Sequence, residues 1–137
     1  MKTAIVDYGI GNISSIRNAF ERLNLSAPIV SNNHKQLAEA DGLILPGVGA
    51  FGECSKKIRR LGLDVFLNEI VVEKKKPILG ICVGMQLMAE ASAEGGFHEG
   101  LGWIPGQVIR LAPASNFQVP HVGWNDISFT GNHVLFE

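Results

Sequence analysis

A cysteine held between two glycines is the most chemically loaded feature of this sequence. Cys82 has Gly80 two residues before it and Gly84 two residues after it. The apolar run Ile78, Leu79, Ile81, introduced by Pro77, reads as a buried strand. Met85 to Ala91 follows, made almost wholly of good helix formers. Strand, tight turn and helix with a nucleophile at the turn is the G-x-Nuc-x-G elbow, here built on a thiol. The turn forces the nucleophile into strained backbone angles, and side chains two residues to either side would collide with the crossing strand and helix. A helix starting beside the sulfur offers free N–H groups and a partial positive charge. That arrangement favours the thiolate and supplies a donor to an oxyanion. The commoner fate of a free cysteine is burial in a core, but a core cysteine has no use for flanking glycines.

The elements that must position this turn can be read in order. Thr3 to Asp7 is a short apolar strand, and Tyr8 to Asn12 a turn whose Asn12 or Ser14 can cap a helix. Ile13, Ile16, Ala19, Phe20 and Leu23 then recur at helical spacing and predict one buried face. Pro28 to Val30 is a brief strand, Asn33 to Ala40 a short helix and Gly42 to Pro46 a third strand. That strand opens into Gly47, Val48 and Gly49, where glycines suit a backbone that turns tightly or faces a reacting atom. Cys54 to Arg60 and Leu63 to Lys74 read as helices, with Cys54 an ordinary helix cysteine. Glu94 to Gly96 breaks the helical pattern, and from Leu101 to Phe129 the character changes to short β segments at Gly102 to Gly106, Gln107 to Leu111 and Val119 to Phe129. Alternating strands and helices predict an α/β fold: a flavodoxin-like three-layer domain, its mostly parallel sheet covered on both faces, with the site at the strand C-termini. Gly9-x-Gly11 is only a partial dinucleotide fingerprint, because Ser14 holds the third glycine position.

The wording around Cys82 resembles the nucleophile motif of class I (triad) glutamine amidotransferases, and the resemblance runs from Ala4 to about Ile127. Within that family it is most similar to the glutaminase subunits of imidazole glycerol phosphate synthase. The resemblance implies that Cys82 attacks the side-chain amide of glutamine. The backbone N–H groups of Val48 or Gly49 and of Val83 would hold the oxyanion, after a peptide of the Pro46–Gly49 segment reorients. It implies that Gly47, Gln86 and Glu94 belong to the glutamine site. It also implies that Tyr8, Gly9, Gly11 and Asn12, together with His121, Trp124 and Asn125, lie at the face that meets a (β/α)8 synthase subunit. Ammonia would pass to that heterodimer partner, in histidine biosynthesis. No metal or organic cofactor is implied.

The sequence departs from the family's pattern in one place. Triad glutaminases activate the thiol through a histidine followed two residues later by glutamate, and none of His34, His98, His121 or His133 has that neighbour. The expectation is therefore a single class I domain over residues 1–137, incomplete on its C-terminal side, with little glutaminase activity of its own. His121 is the nearest substitute base, since a Cys–His pair need only be close in space.

Composition narrows the partners. A net charge of −1 with both signs interspersed gives no electrostatic case for nucleic acid or a membrane surface. No apolar stretch reaches the length of a membrane span. Two cysteines in unlike contexts make neither a disulfide framework nor a CxxC pair, and a reducing cytoplasm fits. Three other readings compete: a glutaminase serving a sugar amidotransferase of surface-polysaccharide synthesis, another Cys-elbow hydrolase or thiol stress protein, and a partner-binding remnant without turnover.

Overall fold

Four short parallel strands carry the elbow. The computed structural model describes residues 1–113, 119–120, 122–128 and 130–131. Strands β1 (Thr3–Val6), β2 (Ile29–Ser31), β3 (Gly42–Leu45) and β4 (Ile78–Gly80) form one sheet in the order β2-β1-β3-β4. All three pairings are parallel; Ile5 faces Val30 and Ile44, and Ile44 faces Leu79. Parallel strands are buried on both faces, which is why β1 and β3 read as continuous apolar runs. Ala4, Ile5, Val6, Leu43, Ile44 and Leu45 are all buried.

Connection handedness fixes the helices. From β1 the chain moves one way to β2, then returns past β1 to β3 and on to β4. Right-handed crossovers therefore put α1 (Ile13–Arg22) on one face of the sheet. The helices α2 (His34–Ala38), α3 (Phe51–Arg60) and α4 (Leu63–Leu67) lie on the other. The main core sits on the second face. There Val6, Leu43 and Leu45 pack with Leu37, Phe51, Cys54, Ile58, Leu63, Leu67 and Ile70. Each such large apolar side chain contributes about 1.5–3 kcal/mol on burial.

The first face is thinly covered, and two expectations change there. Helix α1 has no fully buried residue, and Leu23 is exposed. Its apolar stripe is real, but it lies on the β1–β2 side of a sheet that continues through β3 to β4. Leu79 and Ile81, read as buried, are 51% and 37% exposed for the same reason: among the described residues no helix crosses that face at β4. Asn12 does cap α1, its Oδ1 accepting the Ser15 N–H.

Two helices end earlier than their composition suggests. The Leu63 to Lys74 segment is α-helical only to Leu67 and continues as a π-helix over Asn68–Glu73. The elbow helix, α5, spans only Val83–Gln86. The helical stretch expected from Met85 to Ala91 is helix only through Gln86, then a turn at Leu87–Met88 and strand β5 (Ala89–Ser92). Tertiary pairing overrides helix propensity here. β5 is flanked by β6 (His98–Glu99), antiparallel, and β7 (Ile104–Val108), parallel, in a second three-stranded sheet ordered β6-β5-β7. The two segments expected at Gly102–Gly106 and Gln107–Leu111 merge into β7, and the described residues between 119 and 128 carry no strand. Ser55 and Arg59 of α3 donate to the Glu99 and Gly100 carbonyls at 2.6 and 2.8 Å, tying the second sheet to the first.

Candidate active site at the Cys82 elbow

The elbow is made by backbones touching backbones. Cys82 adopts φ 55° and ψ −122°, a left-sided conformation that costs a non-glycine residue about 1–3 kcal/mol and persists only where the surroundings impose it. The surroundings are visible in its neighbours. A Cβ at Gly80 would lie 2.5 Å from the Met85 Cα, and one at Gly84 would lie 1.9 Å from the Leu45 carbonyl oxygen. A Cβ at Gly47 would lie 2.4 Å from the Gly84 nitrogen. Three glycines therefore let β4, α5 and the loop after β3 meet at main-chain distance. The Ile81 N–H donates to the Leu45 carbonyl at 3.0 Å, extending the β3–β4 pairing to the residue before the nucleophile. Cys82 itself is exposed.

Three N–H groups near this turn have no partner among the described residues. No hydrogen bond to another described residue uses the N–H of Val48, Gly49 or Val83. Val83 opens α5, where a helix leaves its first donors without intrahelical partners. Because α5 is a single turn, its macrodipole is small, and these individual N–H groups are what it can offer. Gly49 sits at φ 78°, with open space around the position of a Cβ.

Gln86 and Glu94 come together in a cavity of about 480 Å³, which Val108, Ile109 and Arg110 also line. Glu94 has a second engagement: its Oε2 accepts the Phe51 N–H at 2.8 Å, at the first turn of α3. The carboxylate thus caps the helix that the Gly47–Ala50 segment runs into, a contact that sequence alone does not suggest. Nothing in the sequence around Arg110 singles it out either.

The expected partner-face residues scatter. Tyr8 is buried, and its Oη donates to the Pro46 carbonyl at 2.6 Å, so its side chain belongs to the core. Gly9 and Asn12 remain exposed, while Gly11 packs close to the Pro46 ring. Trp124 is fully exposed and Asn125 exposed. His121 lies outside the described residues. Of the other histidines, His34 stacks on Phe66 with ring centroids 4.1 Å apart. The His98 ring lies where a Cβ on Gly52 would be 2.7 Å from it. Neither is hydrogen-bonded to Cys82 among the described residues.

Cys54, read as an ordinary helix cysteine, is buried, and its Sγ donates to the Val48 carbonyl at 3.5 Å. It neighbours the Tyr8 hydroxyl, whose proton affinity is raised first by burial and then by the presence of this thiol.

Comparison with known proteins agrees with this architecture. The family described as "Glutamine amidotransferase class-I" matches residues 4–130, and the chain belongs to that family. Over 137 residues it is 46% identical to the imidazole glycerol phosphate synthase subunit HisH 2 of Vibrio vulnificus, covering 100% of this chain and 64% of that protein. It is 50% identical over 123 residues to the subunit HisH of Listeria innocua, covering 90% of this chain and 58% of that one. With the HisH subunit of Aquifex aeolicus it shares 43% over 137 residues, 100% of this chain and 65% of the relative. The chain thus spans 58–65% of the length of these relatives. A solved structure described as "Crystal structure of glutamine amidotransferase" superposes with a TM-score of 0.67 over 87% of this chain and 60% of that one. At 22% identity this likeness speaks for the flavodoxin-like α/β fold alone.

Proposed function

We propose that this chain is the glutaminase part of an imidazole glycerol phosphate synthase, releasing ammonia from glutamine through a thioester on Cys82. The observation that carries the reading is the strained, exposed Cys82 set between Gly80 and Gly84, with the N–H groups of Val83, Val48 and Gly49, unbonded by any described residue, on the two segments that meet there. Relatives at 43–50% identity that bear the synthase-subunit name support the choice of pathway over a sugar amidotransferase.

The chemistry follows from those groups. The Cys82 thiolate adds to the amide carbon of glutamine, and the carbonyl oxygen gains charge that two backbone N–H groups are worth several kcal/mol in stabilising. A general acid protonates the amide nitrogen as the tetrahedral intermediate collapses, the C–N bond breaks and ammonia leaves. Water then adds to the thioester, expelling the Cys82 thiol and giving glutamate. Gln86 and Glu94 would hold the amino-acid end of the substrate, with the Glu94 carboxylate facing its ammonium group. Gly47 contributes by absence, since any side chain there would push the loop off the elbow. In this reading the chain forms part of a cytoplasmic heterodimer with a (β/α)8 synthase that consumes the ammonia. The exposed Trp124–Asn125 segment and the Gly9–Asn12 turn would meet that partner.

The test is covalent. Full-length protein treated with a glutamine-mimicking diazo-ketone should carry one adduct, on the peptide containing Cys82, and excess glutamine should slow its formation. Labelling centred on Cys54, or equal labelling of both cysteines, would sink the assignment.

A further inference from the structure

The segment between β3 and α3 is held by its carbonyls. Tyr8 Oη donates to the Pro46 carbonyl at 2.6 Å, and Cys54 Sγ donates to the Val48 carbonyl at 3.5 Å. Each side chain has one proton, and both protons go to this loop. Phenol and thiol are both buried, so the two anchors lie beneath the loop on its core side.

The pattern of what is held and what is free is informative. The Pro46 carbonyl belongs to the peptide joining residues 46 and 47, and the Val48 carbonyl to the peptide joining 48 and 49. Between them lies the Gly47–Val48 peptide, and neither its carbonyl nor its N–H has a partner among the described residues. A peptide between two fixed neighbours can turn by opposite changes in ψ of residue 47 and φ of residue 48, with little displacement of the chain on either side. Gly47 has no Cβ to resist the turn, and the Val48 side chain is 45% exposed. The peptide left free is the one that carries the Val48 N–H.

We infer that Cys54, acting with Tyr8, is a positioning residue for glutamine hydrolysis. It anchors the Val48 carbonyl so that the Gly47–Val48 peptide turns in place and delivers its N–H to the oxyanion. The inference rests on the glutaminase reading above and assigns a role to the cysteine that does no covalent chemistry. A thiol suits this role because it is a weak donor, so it marks a position without locking the loop. Loss of the anchor leaves glutamine binding intact, because Gln86 and Glu94 line a cavity at the C-terminal end of α5 to which neither Val48 nor Cys54 contributes. The cost falls on the step in which the oxyanion forms.

The experiment measures steady-state glutamine hydrolysis and diazo-ketone labelling of Cys82 in the full-length protein with its synthase partner, for wild type, Cys54→Ala, Cys54→Ser and Tyr8→Phe. Cys54→Ala should lower kcat by about two- to tenfold, the rate equivalent of one neutral hydrogen bond, with KM unchanged. Cys54→Ser, which keeps a donor, should recover most of that loss, and Tyr8→Phe should lower kcat in the same way. A wild-type kcat in Cys54→Ala, or a loss that Cys54→Ser does not recover, would overturn the anchor while leaving the glutaminase reading intact. A wild-type protein that neither hydrolyses glutamine nor labels at Cys82 would overturn both.

Discussion

The Cβ that any side chain would place on Gly84 lies 1.9 Å from the carbonyl oxygen of Leu45, far inside van der Waals contact. Both partners are main chain, so neither can rotate out of the way. Gly84→Ala should therefore cost about 1–3 kcal/mol or more in urea denaturation, the scale of overpacking a tight interior. Gly49→Ala meets no neighbour within 4 Å and carries only the penalty of φ 78°, about 1–2 kcal/mol. A smaller loss for Gly84→Ala than for Gly49→Ala would mean that the elbow backbone yields easily.

Cys82 is strained by its own chirality, and relief of that strain can be measured. Cys82→Gly should raise stability by about 1–3 kcal/mol, because glycine accepts φ 55° without penalty. The same variant should abolish diazo-ketone labelling. Cys82→Ser should leave the midpoint near that of wild type, isolating the backbone contribution from the loss of the thiol. A Cys82→Gly protein no more stable than Cys82→Ser would show that the turn is relaxed.

Glu94 joins the cavity to the start of α3. Glu94→Gln keeps an oxygen for the Phe51 N–H but loses the negative charge at a helix N-terminus, and should cost about 0.3–1 kcal/mol of stability. Glu94→Ala removes the cap altogether and should cost about 0.5–2 kcal/mol. If the carboxylate also holds the substrate ammonium, both variants should raise KM for glutamine. Isothermal calorimetry with a non-reactive glutamine analogue separates that effect from the change in folding.

The sole tyrosine offers a clean alkaline probe. Burial pushes the Tyr8 phenol well above its ordinary value, with the Cys54 thiol adding to the rise. In the unfolded chain the phenol ionises near pH 10. Above that pH the native state holds one more proton than the unfolded state, so stability falls as pH rises. Below it this contribution is fully present. The 295 nm absorbance of phenolate should appear only with unfolding, and Tyr8→Phe should show a shallower alkaline loss. Reversible ionisation in the folded protein near pH 10 would contradict the burial.

How much of this is legible in the sequence depends on where each signal resides. Strands β1 and β3 are legible because parallel strands buried on two faces are runs of apolar residues that give way to glycine-bearing turns. The elbow is legible because only a backbone crossing demands glycine at both positions flanking Cys82. β5 is not, because Ala89 to Ser92 has the composition of a helix, and its reason to be a strand lies in β6 and β7, further along the chain. For α1 the periodicity marks the right face, but periodicity says nothing about how much sheet that face will cover. Cys54 and Tyr8 escape a sequence reading on similar grounds, since each takes its meaning from the loop after β3, and that contact exists only once the sheet has formed.

The face at β4 that the described residues leave uncovered has a practical edge. Leu79, Ile81 and Met85 are 51%, 37% and 56% exposed, and they surround the one cysteine that solvent can reach. Every 100 Å² of apolar surface hidden between two molecules is worth roughly 2.5 kcal/mol. Two copies that meet along this greasy margin bring two exposed sulfurs to the same place, while Cys54 stays out of reach in each. On the bench, air and time should convert such encounters into cross-linked pairs through Cys82, so preparations should keep a free thiol there only under reductant.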